Sequence, residues 1–120
     1  MLQGLRTVIY PAPELKKATE WYTAVLGEKP YFEEPFYVGF DVGGYELGLQ
    51  PERIPGTAGS IVYWGVDNIE EMWAKLMELG ATPDEEVTNV GGDIFVATVK
   101  DPFGNIFGII QNPNFSIKEK

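Results

Sequence analysis

The chain has 120 residues, the length of one domain, and its 44% content of hydrophobic residues excludes a disordered tail. Its net charge of −9 repels phosphate backbones and anionic lipid, so neither nucleic acid nor a membrane is expected as a partner. Cysteine and histidine are both absent. Their absence excludes thiolate and imidazole metal sites, and also Ser-His-Asp and Cys-His catalysis.

The composition also indicates short elements and a cytoplasmic location. The 14 glycines and 9 prolines favour many short elements joined by tight turns over a helix bundle. The first residues lack the basic and apolar regions of a signal peptide. No apolar run approaches the roughly 20 residues of a membrane span, so we expect a cytoplasmic protein.

The first half of the chain predicts a strand, a helix and three further strands. The helix shows apolar residues with a period of 3.6, from Leu15 to Leu26, and Gly27 follows as a left-handed C-cap. The Gly43-Gly44 pair predicts a hairpin turn between the last two strands. The predicted strands lie at about 5–10, 30–33, 36–42 and 45–50.

The second half repeats this order of signals. Asn68 is a candidate N-cap with Glu71 as its capping-box partner, and Gly80 stands where a C-cap glycine is expected. Asp101-Pro102-Phe103-Gly104 predicts the turn before the last strand. The predicted strands lie at about 61–66, 84–89, 93–100 and 105–111.

The two halves predict an α+β fold in which two βαβββ modules form a curved mixed sheet around a central cavity. Such a cavity is a favoured place for a ligand. We expect a single domain over residues 1–112, followed by a polar tail at 113–120. Within the domain, module one covers 4–50, the linker 51–59 and module two 60–112.

Two motifs carry a family resemblance. The first runs from Pro13 through Trp21-Tyr22 to Val25-Leu26-Gly27, and the second is Asp101-Pro102-Phe103-Gly104-Asn105. In this order they resemble the vicinal oxygen chelate superfamily of glyoxalase I, bleomycin-resistance proteins and extradiol dioxygenases. The resemblance covers about residues 5–111. It implies the fold given above and a homodimer.

The resemblance also implies a divalent metal, held mainly by His, Gln and Glu on the first and last strand of each module. Those positions correspond here to Thr7, Gly48, Gly108 and Ile61, or to Ser60 in place of Ile61 if the repeat is aligned without a gap. None of these side chains binds a transition metal well. We therefore expect no metal and no cofactor.

Strand alternation predicts which residues face the cavity. Tyr63 is the strongest candidate, because a buried hydroxyl needs a partner. Glu46 is a weak candidate for a catalytic base. The glycines at 48 and 108 indicate either open space for a ligand or a bend in the sheet. The full predicted set is Thr7, Ile9, Glu46, Gly48, Gln50, Ile61, Tyr63, Gly108 and Ile110.

Three functions fit these observations. The lost metal positions favour metal-free binding of a small molecule, which the resemblance to bleomycin-resistance proteins also implies. The acidic surface and the aromatic candidates point to an aromatic or cationic ligand. The first alternative is a superfamily lyase, isomerase or dioxygenase that uses oxygen ligands or Glu46. The second is a non-catalytic interaction domain.

Overall fold

The computed structural model of the protein describes residues 5–56 and 61–115. It shows an α+β fold in which a βαβββ order occurs twice, as the sequence predicts. The elements are β1 (Thr7–Pro11), α1 (Leu15–Leu26), β2 (Phe32–Glu34), β3 (Tyr37–Val42), β4 (Tyr45–Gln50), β5 (Tyr63–Gly65), α2 (Ile69–Glu78), β6 (Thr82–Asn89), β7 (Phe95–Lys100) and β8 (Ile106–Gln111).

The strands form two four-stranded mixed sheets with the same topology, ordered β1-β4-β3-β2 and β5-β8-β7-β6. In each sheet the first strand pairs in parallel with the last, and the remaining pairs are antiparallel. The predicted strand at 61–66 is shorter in the structure, because β5 pairs with β8 over three residues only. The acidic runs on β2 and β6 lie on edge strands, where charge opposes pairing with another chain.

The chain divides into two compact units. The first comprises the residues up to 58 together with Phe103–Asn105, and the second comprises the other residues from 59 onward. The turn before β8 thus belongs to the first unit. There the buried side chain of Asn105 donates a hydrogen bond to the Pro11 carbonyl at 2.9 Å, and Phe103 packs edge-on against Trp21.

The helix ends follow the predicted capping signals. Gly27 has φ +74°, and its N–H donates to the Thr23 carbonyl at 2.9 Å. Asn68 caps α2 by accepting a hydrogen bond from the Glu71 N–H at 3.1 Å. Both predicted caps are confirmed. Neither these helices nor any other described segment forms a helix with the length and apolar character needed to cross a bilayer.

Each helix covers one face of its sheet. In the first unit Tyr10 stacks on Tyr22 of α1 with ring centroids 5.6 Å apart, and Phe40 lies in the same core. In the second unit Trp64 stacks on the buried Phe107 with centroids 5.9 Å apart. Because side chains alternate along a strand, the neighbouring residues of β4, β5 and β8 face away from the helices.

Candidate functional site

The first sheet gathers five of the predicted site residues on the face opposite α1. The register pairs Thr7 with Glu46 and Ile9 with Gly48. Gln50 lies two residues beyond Gly48 and therefore shares its face. Thr7 and Ile9 are exposed, whereas Glu46 and Gln50 are half-buried. Strand alternation thus predicts the shared face on which the structure places these five residues.

Glu46 is held by two tyrosines that the sequence analysis did not single out. The Tyr31 hydroxyl donates a hydrogen bond to Oε1 of Glu46, and the Tyr37 hydroxyl donates to Oε2. Tyr31 precedes β2 and Tyr37 begins β3, so the cluster spans three segments of the unit. The available signal was strand parity, because Tyr37 lies two residues before Gly39, which pairs with Gly48.

The carboxylate keeps both phenols protonated. The hydrogen bond to Glu46 and its negative charge raise the pKa of Tyr31 above its usual value of 10.0. Partial burial raises the pKa of Tyr37 above 10.0, and the hydrogen bond to Glu46 raises this pKa as well. Both hydroxyls therefore remain donors at neutral pH. The two hydrogen bonds stabilise the negative charge of Glu46 and so make it a weaker base.

The space beside Gly48 is filled and not open. A Cβ atom at Gly48 would lie 2.6 Å from Cζ of Tyr37, well inside van der Waals contact. The pairing of β4 with both neighbours runs without a register shift, so a bulge does not explain the glycine either. Gly48 is needed because the Tyr37 ring crosses it on the way to Glu46.

Gln50 also has a partner in the first unit. Its side-chain oxygen accepts a hydrogen bond from Nε of Arg53 at 2.6 Å. The Arg53 guanidinium therefore orients a predicted site residue.

The second sheet places a tyrosine over a glycine in a similar way. Tyr63 pairs with Gly108, and a Cβ atom at Gly108 would lie 2.8 Å from Cδ1 of Tyr63 and 2.6 Å from the Val62 carbonyl oxygen. Ile110 lies on the same face of β8. Ile61 precedes β5 and is 48% exposed. The alternative position Ser60 lies outside the described residues.

A cavity of about 420 Å³ opens in the second unit beside Tyr63. Only two of its residues belong to the predicted set. The others are the last residue of β5 and residues that follow β5 and β8, whose carboxyl ends lie side by side because the two strands are parallel. That parallel pairing is the signal that places residues after both strands in one site. The lining residues are Tyr63, Gly65, Val66, Asp67, Ile110, Asn112 and Phe115.

Two of the polar groups of this cavity are available to a ligand. Within the described ranges, neither the Tyr63 hydroxyl nor the Asp67 carboxylate forms a hydrogen bond or an ion pair. The Asn112 side-chain oxygen accepts from the Asn114 N–H at 2.9 Å, and the Asn112 carbonyl accepts from the Phe115 N–H at 3.2 Å. These bonds form the turn that places Phe115 at the cavity.

The residues at the implied metal positions do not fit a divalent metal. Gly48 and Gly108 lack side chains, and tyrosine rings occupy the space where side chains would begin. Thr7 and Ile61 supply no strong ligand. Across residues 5–56 and 61–115, no three His, Cys, Asp or Glu side chains come together in a metal-binding group.

Comparison with known proteins gives a family and a fold. Residues 4–109 match the sequence profile of the Glyoxalase/Bleomycin resistance protein/Dioxygenase superfamily. None of the curated proteins searched matches the chain. The similar solved structures include a glyoxalase-related enzyme from Fulvimarina pelagi, with 18% identity and a TM-score of 0.81 over 98% of this chain and 94% of the other.

Two further structures carry functional names. A genomically encoded fosfomycin resistance protein from Listeria monocytogenes is 14% identical, with a TM-score of 0.80 over 95% of this chain and 97% of its own. Lactoylglutathione lyase from Agrobacterium tumefaciens is 17% identical, with a TM-score of 0.76 over 98% and 100%. At these identities the likeness shows the fold.

Proposed function

The chain belongs to the glyoxalase/bleomycin resistance protein/dioxygenase superfamily, and we propose that it binds a small molecule without a metal ion. One observation carries the proposal. At each of the two glycines that stand in implied metal positions, a tyrosine of the same unit covers the glycine: Tyr37 covers Gly48, and Tyr63 covers Gly108.

At both glycines the surrounding atoms also leave no room for a metal-binding side chain to be added. A carboxylate added at position 48 would first have to displace Tyr37 from Glu46. A side chain added at position 108 would meet the backbone carbonyl of Val62, which cannot move aside without breaking its hydrogen bond to the Gly108 N–H. A side chain is therefore excluded by an aromatic ring at position 48 and by the backbone as well as a ring at position 108, and this supports a binding surface over a metal centre.

The open groups in the second unit support ligand binding over a role as an interaction domain alone. Ligand sites are concave and mostly apolar, with a few polar groups that fix orientation. The cavity beside Tyr63 is concave and combines apolar side chains with the Asp67 carboxylate and the Asn112 amide, which could fix the orientation of a ligand. The net charge of −9 favours a cationic ligand over an anionic one.

The test is metal content combined with metal-independent binding. We expect protein purified without chelators or an affinity tag to contain far less than one equivalent of transition metal per chain. Ligands found in a thermal-shift screen should give the same shift after EDTA treatment as after addition of Mn²⁺, Ni²⁺ or Zn²⁺. One bound metal per chain, or binding that EDTA abolishes, would overturn the proposal.

A further inference from the structure

The cavity in the second unit has one combination of groups that selects a ligand class. We infer that it binds a protonated arylalkylamine, with Asp67 facing the ammonium group and Tyr63 and Phe115 contacting the ring. This inference rests on the metal-free binding proposed above. It adds the place of binding and requires that one ligand carry both the aromatic ring and the positive charge.

The size of the cavity suits such a ligand. Its volume of about 420 Å³ lies within the range of roughly 300–1,000 Å³ that is usual for small-molecule sites. Val66 and Ile110 supply apolar surface for a ring. A single aromatic ring with a short amine chain is smaller than this volume.

Two aromatic side chains of the cavity are exposed in the free protein. Tyr63 is 41% exposed and Phe115 is 72% exposed. The Tyr63 ring lies against Gly108, where the Cβ atom of any larger residue would come too close to it. A ligand ring or an alkylammonium group that covers these rings gains stacking or cation–π contacts.

The charge of the cavity favours a cation. Asp67 is the one acidic or basic side chain among the described lining residues, and it has no partner there. Glu71 and Lys75 line an adjacent depression that also includes Asp67, so two acidic side chains and one basic side chain leave a net negative charge there. An ammonium group placed beside Asp67 completes an ion pair, whereas a carboxylate there is repelled.

The experiment compares three probes that differ mainly in charge: phenethylamine, 2-phenylethanol and 3-phenylpropionate. Each is titrated at pH 7 into the isotopically labelled full chain while backbone amide signals are followed by NMR. We expect phenethylamine to shift the signals of Gly65, Asp67 and Ile110 with the highest affinity. The alcohol should bind more weakly and the carboxylate weakest, while the Gly39 signal in the first sheet stays unchanged.

Two variants assign the contacts. Asp67→Asn keeps the shape and should lower phenethylamine affinity about three- to fivefold, the size of an exposed ion pair, while leaving 2-phenylethanol unaffected. Phe115→Leu, at an exposed position, should weaken both probes. The matched control is Asp93→Asn, which makes the same charge change in the second unit outside the cavity lining and should have little effect. Raising the salt concentration should weaken only the amine.

Three results would overturn the inference: equal or tighter binding of 3-phenylpropionate, an Asp67→Asn effect no larger than that of Asp93→Asn, or no shift of the cavity signals at millimolar phenethylamine. Metal-independent binding of a different compound would leave the proposed function standing in each case. Loss of phenethylamine binding on EDTA treatment would instead contradict the proposed function itself.

Discussion

The Tyr37 hydroxyl lies too close to Gly48 to leave room for a Cβ atom there, and it donates a hydrogen bond to Glu46. The glycine and the tyrosine therefore form one structural unit, in which the missing side chain on β4 makes room for the ring from β3. A position that looks vacant in the sequence is occupied in the fold. This relationship decides how substitutions on this face should behave.

Gly48→Ala should destabilise the protein by about 1–3 kcal/mol, because the new methyl group overpacks against the Tyr37 ring. The free energy of unfolding from urea denaturation measures the effect. The same substitution made in a Tyr37→Ala background should cost much less, since the ring is gone. Gly56→Ala is the control, because no atom lies within 4 Å of its Cβ position. Equal costs in both backgrounds would refute the contact.

Gly108→Ala should also cost about 1–3 kcal/mol, but removal of the tyrosine should not rescue it. The reason is that its Cβ would lie 2.6 Å from the Val62 carbonyl oxygen, which is backbone and is bonded to the Gly108 N–H. Urea denaturation of Gly108→Ala with and without Tyr63→Ala measures the difference. Full rescue by Tyr63→Ala would show that the side chain and not the backbone sets the limit.

The raised pKa values of Tyr31 and Tyr37 predict a loss of stability in strong base. In the unfolded chain both phenols ionise near pH 10.0, whereas the folded protein retains their protons to higher pH. The unfolded state therefore binds fewer protons at these two groups above pH 10, so their contribution to stability is constant below that pH and falls above it. Urea denaturation between pH 8 and pH 11 measures this slope.

Replacement of both tyrosines by phenylalanine supplies the control for the alkaline effect. The Tyr31→Phe/Tyr37→Phe variant should lose less stability between pH 9 and pH 11 than the unchanged protein. The increase of its absorbance at 295 nm with pH should lack the contribution of the two phenols that ionise above pH 10.0 in the unchanged protein. An identical pH slope in both proteins would mean that the hydrogen bonds to Glu46 do not hold the two protons.

Glu46→Gln should lower stability by about 1 kcal/mol, because a neutral amide accepts hydrogen bonds more weakly than a carboxylate and offers only one acceptor oxygen. The pKa values of Tyr31 and Tyr37 should move back toward 10.0, which absorbance at 295 nm can follow. Glu33→Gln, on the exposed strand β2, is the control. If the chain proves to catalyse a reaction, full activity in Glu46→Gln would contradict the base hypothesis.

Much of the fold could be predicted from local patterns. The helix ends at Gly27 and Asn68 follow from capping chemistry, which involves only residues close in sequence. The core residues Leu47 and Ile109 follow from alternation, because a strand with one covered face repeats every second residue. The bounds of β5 could not be predicted, since they depend on how many residues of β8 pair with it.

The candidate site, like the fold, could be predicted from the sequence only in part. By itself, the sequence determined the doubled βαβββ order, the acidic charge, the absence of strong metal ligands at Thr7 and Gly108, and the face that carries Tyr63. These are properties of composition and of neighbours along the chain. Only the tertiary structure decided that Tyr37 fills the space at Gly48 and that Asp67 and Phe115 line one cavity. Such contacts join segments distant in sequence, so strand pairing and not local pattern brings them together.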